Sequence, residues 1–145
     1  MTREDKELLI RDLCDRLPYQ VRMFEIEPIN DIQSHLTLYS ISNKESVMCI
    51  TPSGGIIGSS VDAFKPYLFP LSSMTEEQRE EFLNIQTEER QILLNALIEY
   101  KSGKYDKIPI IAPYKQIEWL NKNHFDYRGL IEKGLAIDAT DKNIY

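Results

Sequence analysis

In the first eighteen residues the apolar positions recur at helical spacing. Leu9, Leu13 and Leu17 form one stripe, with Leu8 and Asp12 beside it. Thr2 is placed to cap this helix with Asp5 three residues on, and Pro18 ends it. Arg3, Lys6, Glu7 and Arg11 fall on the opposite, solvated face. After Pro18 the period changes to two. Residues 19–27, 34–42, 45–50 and 56–61 are rich in β-branched, aromatic and apolar side chains and read as strands. In the second of these, Leu36 and Leu38 share one face while Thr37, Tyr39 and Ile41 share the other, the pattern of a central strand. Asn43-Lys44 and Thr51-Pro52-Ser53-Gly54-Gly55 read as hairpin turns and residues 28–31 as a loop. Such short connections predict an antiparallel meander. Residues 64–71 (FKPYLFPL) break the pattern, because Pro66 and Pro70 each lack a backbone donor. They read as an extended connector closing over the sheet edge.

The helical period returns at Thr75, which forms a capping box with Gln78. Phe82, Ile85, Leu93, Ala96, Leu97 and Tyr100 fall on one face. The polar run 86–91 and a second capping-like start at Thr87 admit one bent helix or two, with two favoured. A basic, glycine-containing loop over 101–107 and an apolar stretch over 108–112 lead to the helix that carries Trp119, the only tryptophan. Asn121 and Asn123 are plausible helix enders. Asp126 is placed to cap a further short helix over 127–133, Gly134 fits the left-handed position after it, and Leu135 can fold back on Leu130. The tail, 137–145, is polar and expected to be only partly ordered.

These elements predict one α+β domain: an N-terminal helix (1–18), a small antiparallel sheet of about four strands (19–63), a proline-rich connector (64–74), a helical part with three or four helices (75–136) and the tail (137–145). A chain of 145 residues is long enough for one real core, and 42% hydrophobic with 28% charged residues is ordinary for a globular protein. No apolar run approaches the length that spans a bilayer, and residues 1–6 lead into no signal-peptide core, so a cytoplasmic location away from membranes is expected. The net charge of −6 weighs against a broad phosphate-binding face, so no nucleic acid is expected as partner. Most of that charge is local. Residues 75–100 hold seven acids against two bases, an excess of five.

Candidate chemistry is sparse. The two cysteines, Cys14 and Cys49, lie among apolar neighbours without CxxC spacing and read as buried free thiols. His35 and His124, the only histidines, are far apart, and a zinc site needs more ligands than they supply. The glycine-rich run 53–59 lacks the Gly-Lys-Ser/Thr ending of a phosphate loop, and no G-x-S-x-G is present. Neither a metal, a cofactor nor a catalytic residue is assigned. The residues singled out as an interaction surface are Tyr127 and Arg128, types enriched in binding interfaces, and the glutamates Glu76, Glu77, Glu80 and Glu81. In its first-turn position Arg128 calls for a carboxylate partner, either within the fold, with Asp126 and Glu132 nearest, or on another protein.

Three strings, KELLIRDLCDRLPY (6–19), KPYLFPLSSMTEEQREEF (65–82) and WLNKNHFDYRGLIEKGLAIDA (119–139), resemble a family of small uncharacterised proteins from Bacteroides-type gut bacteria, their prophages and mobile elements. The resemblance covers the two ends and the proline-rich segment, and residues 84–114 look expanded relative to it. It implies a mobile-element setting and no particular activity. The function expected is therefore a non-enzymatic protein-interaction protein of a phage or mobile element, with an unknown protein partner. The alternatives are a small hydrolase or nuclease-like enzyme and a nucleic-acid-binding protein.

Overall fold

The structure, a computed structural model, describes residues 1–26, 36–42, 45–103 and 114–145, apart from the side chains of Leu97, Tyr100 and Lys101. The chain forms two compact units, Met1–Ser73 with Asn121–Tyr145, and Met74–Leu120. The α+β class holds, with an N-terminal helix, a sheet and further helices.

In the first unit, helix α1 (Arg3–Arg16) starts at the expected cap. The Thr2 hydroxyl accepts from Asp5 N (3.1 Å), and the Asp5 carboxylate accepts from Thr2 N (3.3 Å). Leu9 and Leu13 are fully buried, and so are Asp12 and Arg16, which lie on the same side of the helix. Strands β1 (Arg22–Glu25), β2 (Leu36–Ser42), β3 (Ser46–Ile50) and β4 (Ile56–Ser60) form the antiparallel part. Strand β2 lies between β1 and β3, as its two-sided pattern suggested, and a bulge at Tyr39 turns that side chain out to solvent. The β3–β4 turn uses Gly54 at φ 86°, and Thr51 Oγ1 accepts from Gly55 N at 2.9 Å. The Asn43-Lys44 turn, the 28–31 loop and the 108–112 stretch lie outside the described residues.

The expectation of a four-stranded antiparallel sheet has to be corrected. The supposed connector is a strand, β5 (Phe64–Pro70), and it joins the sheet beside β1. The order is β4-β3-β2-β1-β5, and two short strands, β6 (Phe125–Asp126) and β7 (Ile137–Asp138), pair with β5 in parallel to make a mixed, seven-stranded sheet. Pro66 is tolerated for a geometric reason. Ile26 N donates to Ala63 O (2.9 Å), and pairs alternate from there, so the Met23–Pro66 pair exchanges no backbone hydrogen bonds. On the other edge β7 first pairs at Tyr67, beyond Pro66, and Pro70 ends the strand. The core cluster runs from α1 (Leu9, Leu13) across Met23, Leu36, Val47, Phe64 and Leu68 to Leu130 and Leu135.

The second unit holds α2 (Glu76–Lys101) and most of α3 (Tyr114–Lys122). Helix α2 starts at the expected box, with Gln78 N donating to Thr75 Oγ1 (3.2 Å) and Thr75 N to Gln78 Oε1 (2.9 Å). It is one helix, not two. Its polar middle is made mainly of Gln, Glu and Arg, which favour helix, and Thr87 Oγ1 donates back to Leu83 O (3.0 Å) instead of capping a new start. Only two α-helices follow the sheet among the described residues, because residues 127–133 form successive turns in place of a helix. The local chemistry there is nonetheless as expected. Gly134 has φ 69°, and Leu135 N donates to Leu130 O at 2.8 Å. Cys49 is buried, but Cys14 is exposed, since its helix position faces away from the Leu9–Leu13 stripe. The tail is tied down by β7 and by Tyr145, whose hydroxyl donates to Tyr67 O (2.7 Å) and accepts from Arg22 N (3.0 Å).

Trp119 is 6% exposed and meets Phe82 with ring centroids 5.5 Å apart at 51°. Trp119→Ala is expected to lower unfolding free energy by roughly 3–5 kcal/mol. Urea unfolding checks this, and an unchanged midpoint would place the tryptophan outside the packing.

Candidate functional site

Polar chemistry in the first unit concentrates where α1 meets the segment after α3. Asp12 and Arg16 stand one helical turn apart and both are 0% exposed. Arg16 Nε donates to Asp12 Oδ2 (2.6 Å) and Arg16 Nη2 to Asp12 Oδ1 (3.1 Å), a bidentate pair. The same Nη2 donates to Phe125 O at 2.8 Å, which ties the helix to β6. Burial pushes the Asp12 carboxyl up, and the charge and hydrogen bonds of Arg16 pull it back. Arg128 approaches from the other side. Its Nη2 donates to Asp15, and its Nε lies 3.8 Å from Asp12 Oδ1. The Tyr127 ring lies against both guanidiniums, 5.6 Å from Arg16 Cζ and 4.9 Å from Arg128 Cζ.

Asp126 organises the backbone beneath. Its Oδ1 accepts from Arg128 N (3.3 Å) and Leu130 N (2.9 Å), and its Oδ2 accepts from Ile131 N (2.8 Å). One residue before β6, His124 adopts φ 59° and stacks on Tyr145 at 4.0 Å and 15°. Burial, reinforced by the charges of Arg16 and Arg22, lowers the His124 pKa to about 4, so the ring is neutral at pH 7. Burial pushes the Tyr145 phenol far up.

Most of these groups pair with each other, while Arg16 Nη1, His124 Nδ1, Tyr127 Oη and Arg128 Nη1 are buried without a hydrogen-bond partner. Three carboxylates (Asp12, Asp15, Asp126) face two guanidiniums, so the cluster carries no excess positive charge to hold an anion. The cysteines are not activated either. Partial desolvation and the charge of Asp15 push the Cys14 thiol up, and burial pushes Cys49 up to about 12. No group of three or more His, Cys, Asp or Glu among the described residues could hold a metal ion.

The residues singled out from the sequence therefore divide. Tyr127 and Arg128 are half-buried and engaged with α1. The partners of Arg128 are Asp15 and Asp12, brought from more than a hundred residues away. The Asp126 carboxylate takes only the Arg128 backbone N–H. Glu76, Glu77, Glu80 and Glu81 belong to the second unit and are all exposed on the first turns of α2. Sequence reasoning placed Arg16 in the helical rhythm of α1 but assigned it no partner. The signal was there: Asp12 and Arg16 are spaced by four beside Leu9 and Leu13, where opposite charges on an apolar face can only be buried as a pair.

A second arrangement lies on α2. One side meets α3: Phe82 faces Trp119, the Glu89 carboxylate accepts from Lys115 N (2.7 Å), and Glu88 lies 3.6 Å from Lys115 Nζ. Phe82, Ile85 and Ala96 on that side are half-buried. On the opposite side Leu83, Leu94 and Ile98 fall within one stripe and are 49%, 54% and 65% exposed. Leu93, expected on the packed face, is 40% exposed at its margin.

Removing one partner of a buried ion pair leaves an uncompensated charge. Arg16→Leu is expected to cost about 3–5 kcal/mol, and Arg128→Ala, at the rim, about 1–2 kcal/mol. The double variant Asp12→Leu/Arg16→Met should be less destabilised than Arg16→Leu alone, read by urea unfolding.

A second expectation concerns acid. The folded-state pKa of His124, about 4, lies below the ordinary 6.5, so the unfolded chain takes up the proton first. The neutral ring costs nothing above pH 6.5, and stability is lost as pH falls from 6.5 toward 4, by on the order of 1–3 kcal/mol. His124→Asn, which tolerates the left-handed backbone, should lack this part of the pH slope in unfolding experiments between pH 7 and 4.

No protein-family model, no characterised protein and no solved structure matches the chain, so its function has to be argued from these two arrangements.

Proposed function

We propose that this chain is a non-enzymatic protein-interaction protein of a phage or mobile element, that it works in the cytoplasm, and that it engages its partner through α2. The observation that carries the reading is the stripe Leu83, Leu94 and Ile98, about half exposed or more on a helix whose other side meets α3 through Phe82 and Glu89. Grouped apolar side chains on a surface mark an interaction site more often than scattered ones do. Glu76, Glu77, Glu80 and Glu81, on the first two turns, add a negative field at one end. A partner that fits is an amphipathic helix with matching apolar spacing and basic residues to meet the glutamates. The same glutamates disfavour a nucleic-acid backbone. Tyr127 and Arg128 serve in this reading as internal braces. The mobile-element setting rests on the sequence resemblance of residues 6–19, 65–82 and 119–139. No described helix is long and apolar enough to cross a membrane.

The test compares affinity capture by the wild type and by Leu94→Glu/Ile98→Glu in cells of the native host. Both positions are exposed, so the unfolding midpoint should move little, within about 0.5 kcal/mol for each substitution. At least one protein captured by the wild type should be lost by the variant. Identical capture profiles would falsify an α2 interaction surface.

A further inference from the structure

We propose that the meeting point of β1, β5 and His124 is a binding site for a phenol, held closed by Tyr145 as a tethered ligand from the same chain. The proposal rests on the first unit alone and is independent of the α2 surface. The pairing of β1 with β5 sets Met23 opposite Pro66, so the next pair along is Arg22 and Tyr67. Pairs alternate, and Met23–Pro66 exchanges no backbone hydrogen bonds, so Arg22–Tyr67 stands at a hydrogen-bonding place. The bond expected there runs from Arg22 N to Tyr67 O. The Tyr145 hydroxyl stands in its way: it accepts from Arg22 N (3.0 Å) and donates to Tyr67 O (2.7 Å). Two backbone groups fixed in the sheet thus read a phenol both as acceptor and as donor.

Ring contacts complete the recognition. The Tyr145 ring stacks on His124 at 4.0 Å and 15° and meets Phe69 at 5.7 Å and 48°. The two receiving residues are joined to each other, since Phe69 N donates to His124 O (2.9 Å). A ring without a hydroxyl would gain the stacking and leave Arg22 N and Tyr67 O unpaired. The site reaches the surface: Tyr145 is 44% exposed, and Arg22, Tyr67, Phe69 and His124 are half-buried. The tether is slight. Ala139 N donates to Leu68 O (2.9 Å), but the hydrogen bonds of 140–144 among the described residues stay within the tail, from Thr140 N to Asp138 Oδ1 (2.9 Å) and from Lys142 N to Ala139 O (3.1 Å). Beyond Ala139 the described hydrogen bonds from tail to sheet are those of the Tyr145 hydroxyl, so a phenol that took its place would release the tail.

Tyr145→Ala opens the site, and p-cresol, the tyrosine side chain without its backbone, is the probe. NMR shifts of backbone amides and of the imidazole read binding. The variant should bind p-cresol saturably, with the Arg22 amide and the His124 ring among the signals that move most. Toluene, which lacks the hydroxyl, should bind at least about tenfold more weakly. The wild type should show none of these shifts at concentrations that saturate the variant, because a tethered ring competes as an intramolecular ligand. Absence of p-cresol binding by the variant overturns the proposal, and so does equal binding of toluene. Equal binding by the wild type would place the phenol elsewhere and overturn it as well. Should the alanine variant not fold, Tyr145→Phe keeps the ring and removes only the hydroxyl. Its Arg22 amide should exchange with solvent at least about tenfold faster than in the wild type. Unchanged exchange would show that the hydroxyl carries no bond in the ladder and would remove the basis of the site.

Discussion

The first unit depends on one ionic contact. Asp12 and Arg16 sit on the apolar face of α1 beside Leu9 and Leu13, wholly out of water. Two unpaired charges in that position would cost several kcal/mol each, so the helix can pack only with the pair formed, and Arg16 Nη2 takes a further acceptor while Nη1 stays buried without one. The engaged donor is what gives the contact its reach. Arg16 Nη2 bonds the carbonyl of Phe125, more than a hundred residues along the chain, and Phe125 begins the strand that extends β5. The early helix and the late segment are thereby joined at a point that apolar packing alone would leave free to slide. Arg128, reaching Asp15 and Asp12, and the Tyr127 ring close to both guanidiniums meet at the same junction.

Much of the fold was legible wherever the cause is local. The caps at Thr2 and Thr75, the four antiparallel strands, the central place of β2 and the left-handed Gly134 all follow from spacing and turn chemistry within a few residues. What escaped depends on partners distant in sequence. The segment FKPYLFPL looked irregular because proline lacks a donor. The cost disappears only because Pro66 occupies a non-hydrogen-bonded position against β1 and lies just short of β7 on the other edge. Strands of two residues, such as β6 and β7, carry too little pattern to be read at all. Their parallel pairing with β5 is a property of the assembled sheet.

The candidate site was legible in a similar way. The expectation that Arg128 needs a carboxylate rested on a first-turn helix position that the structure does not form, although carboxylates do meet it. Which carboxylate did not follow, because the nearest in sequence, Asp126, is spent on three backbone N–H groups. Asp126 bends the chain, and the bend delivers Arg128 to α1. A residue singled out by its type is therefore also paired within the fold, to Asp15 and Asp12.

The exposed apolar stripe of the second unit follows from the composition of α2. Taken by itself, the second unit is a long helix with a nine-residue helix against one side, and a short helix covers one stripe only. A solvated helix needs one apolar face, and α2 carries two: Phe82 and Ile85 toward α3, and Leu83, Leu94 and Ile98 away from it. Helix propensity does not require the second, since Gln, Glu, Lys or Arg would serve as well as Leu at those positions and remain hydrated. Small units with a thin core also gain stability when another element covers an exposed stripe. Covering those three side chains would therefore add burial to a two-helix unit that leaves them in water.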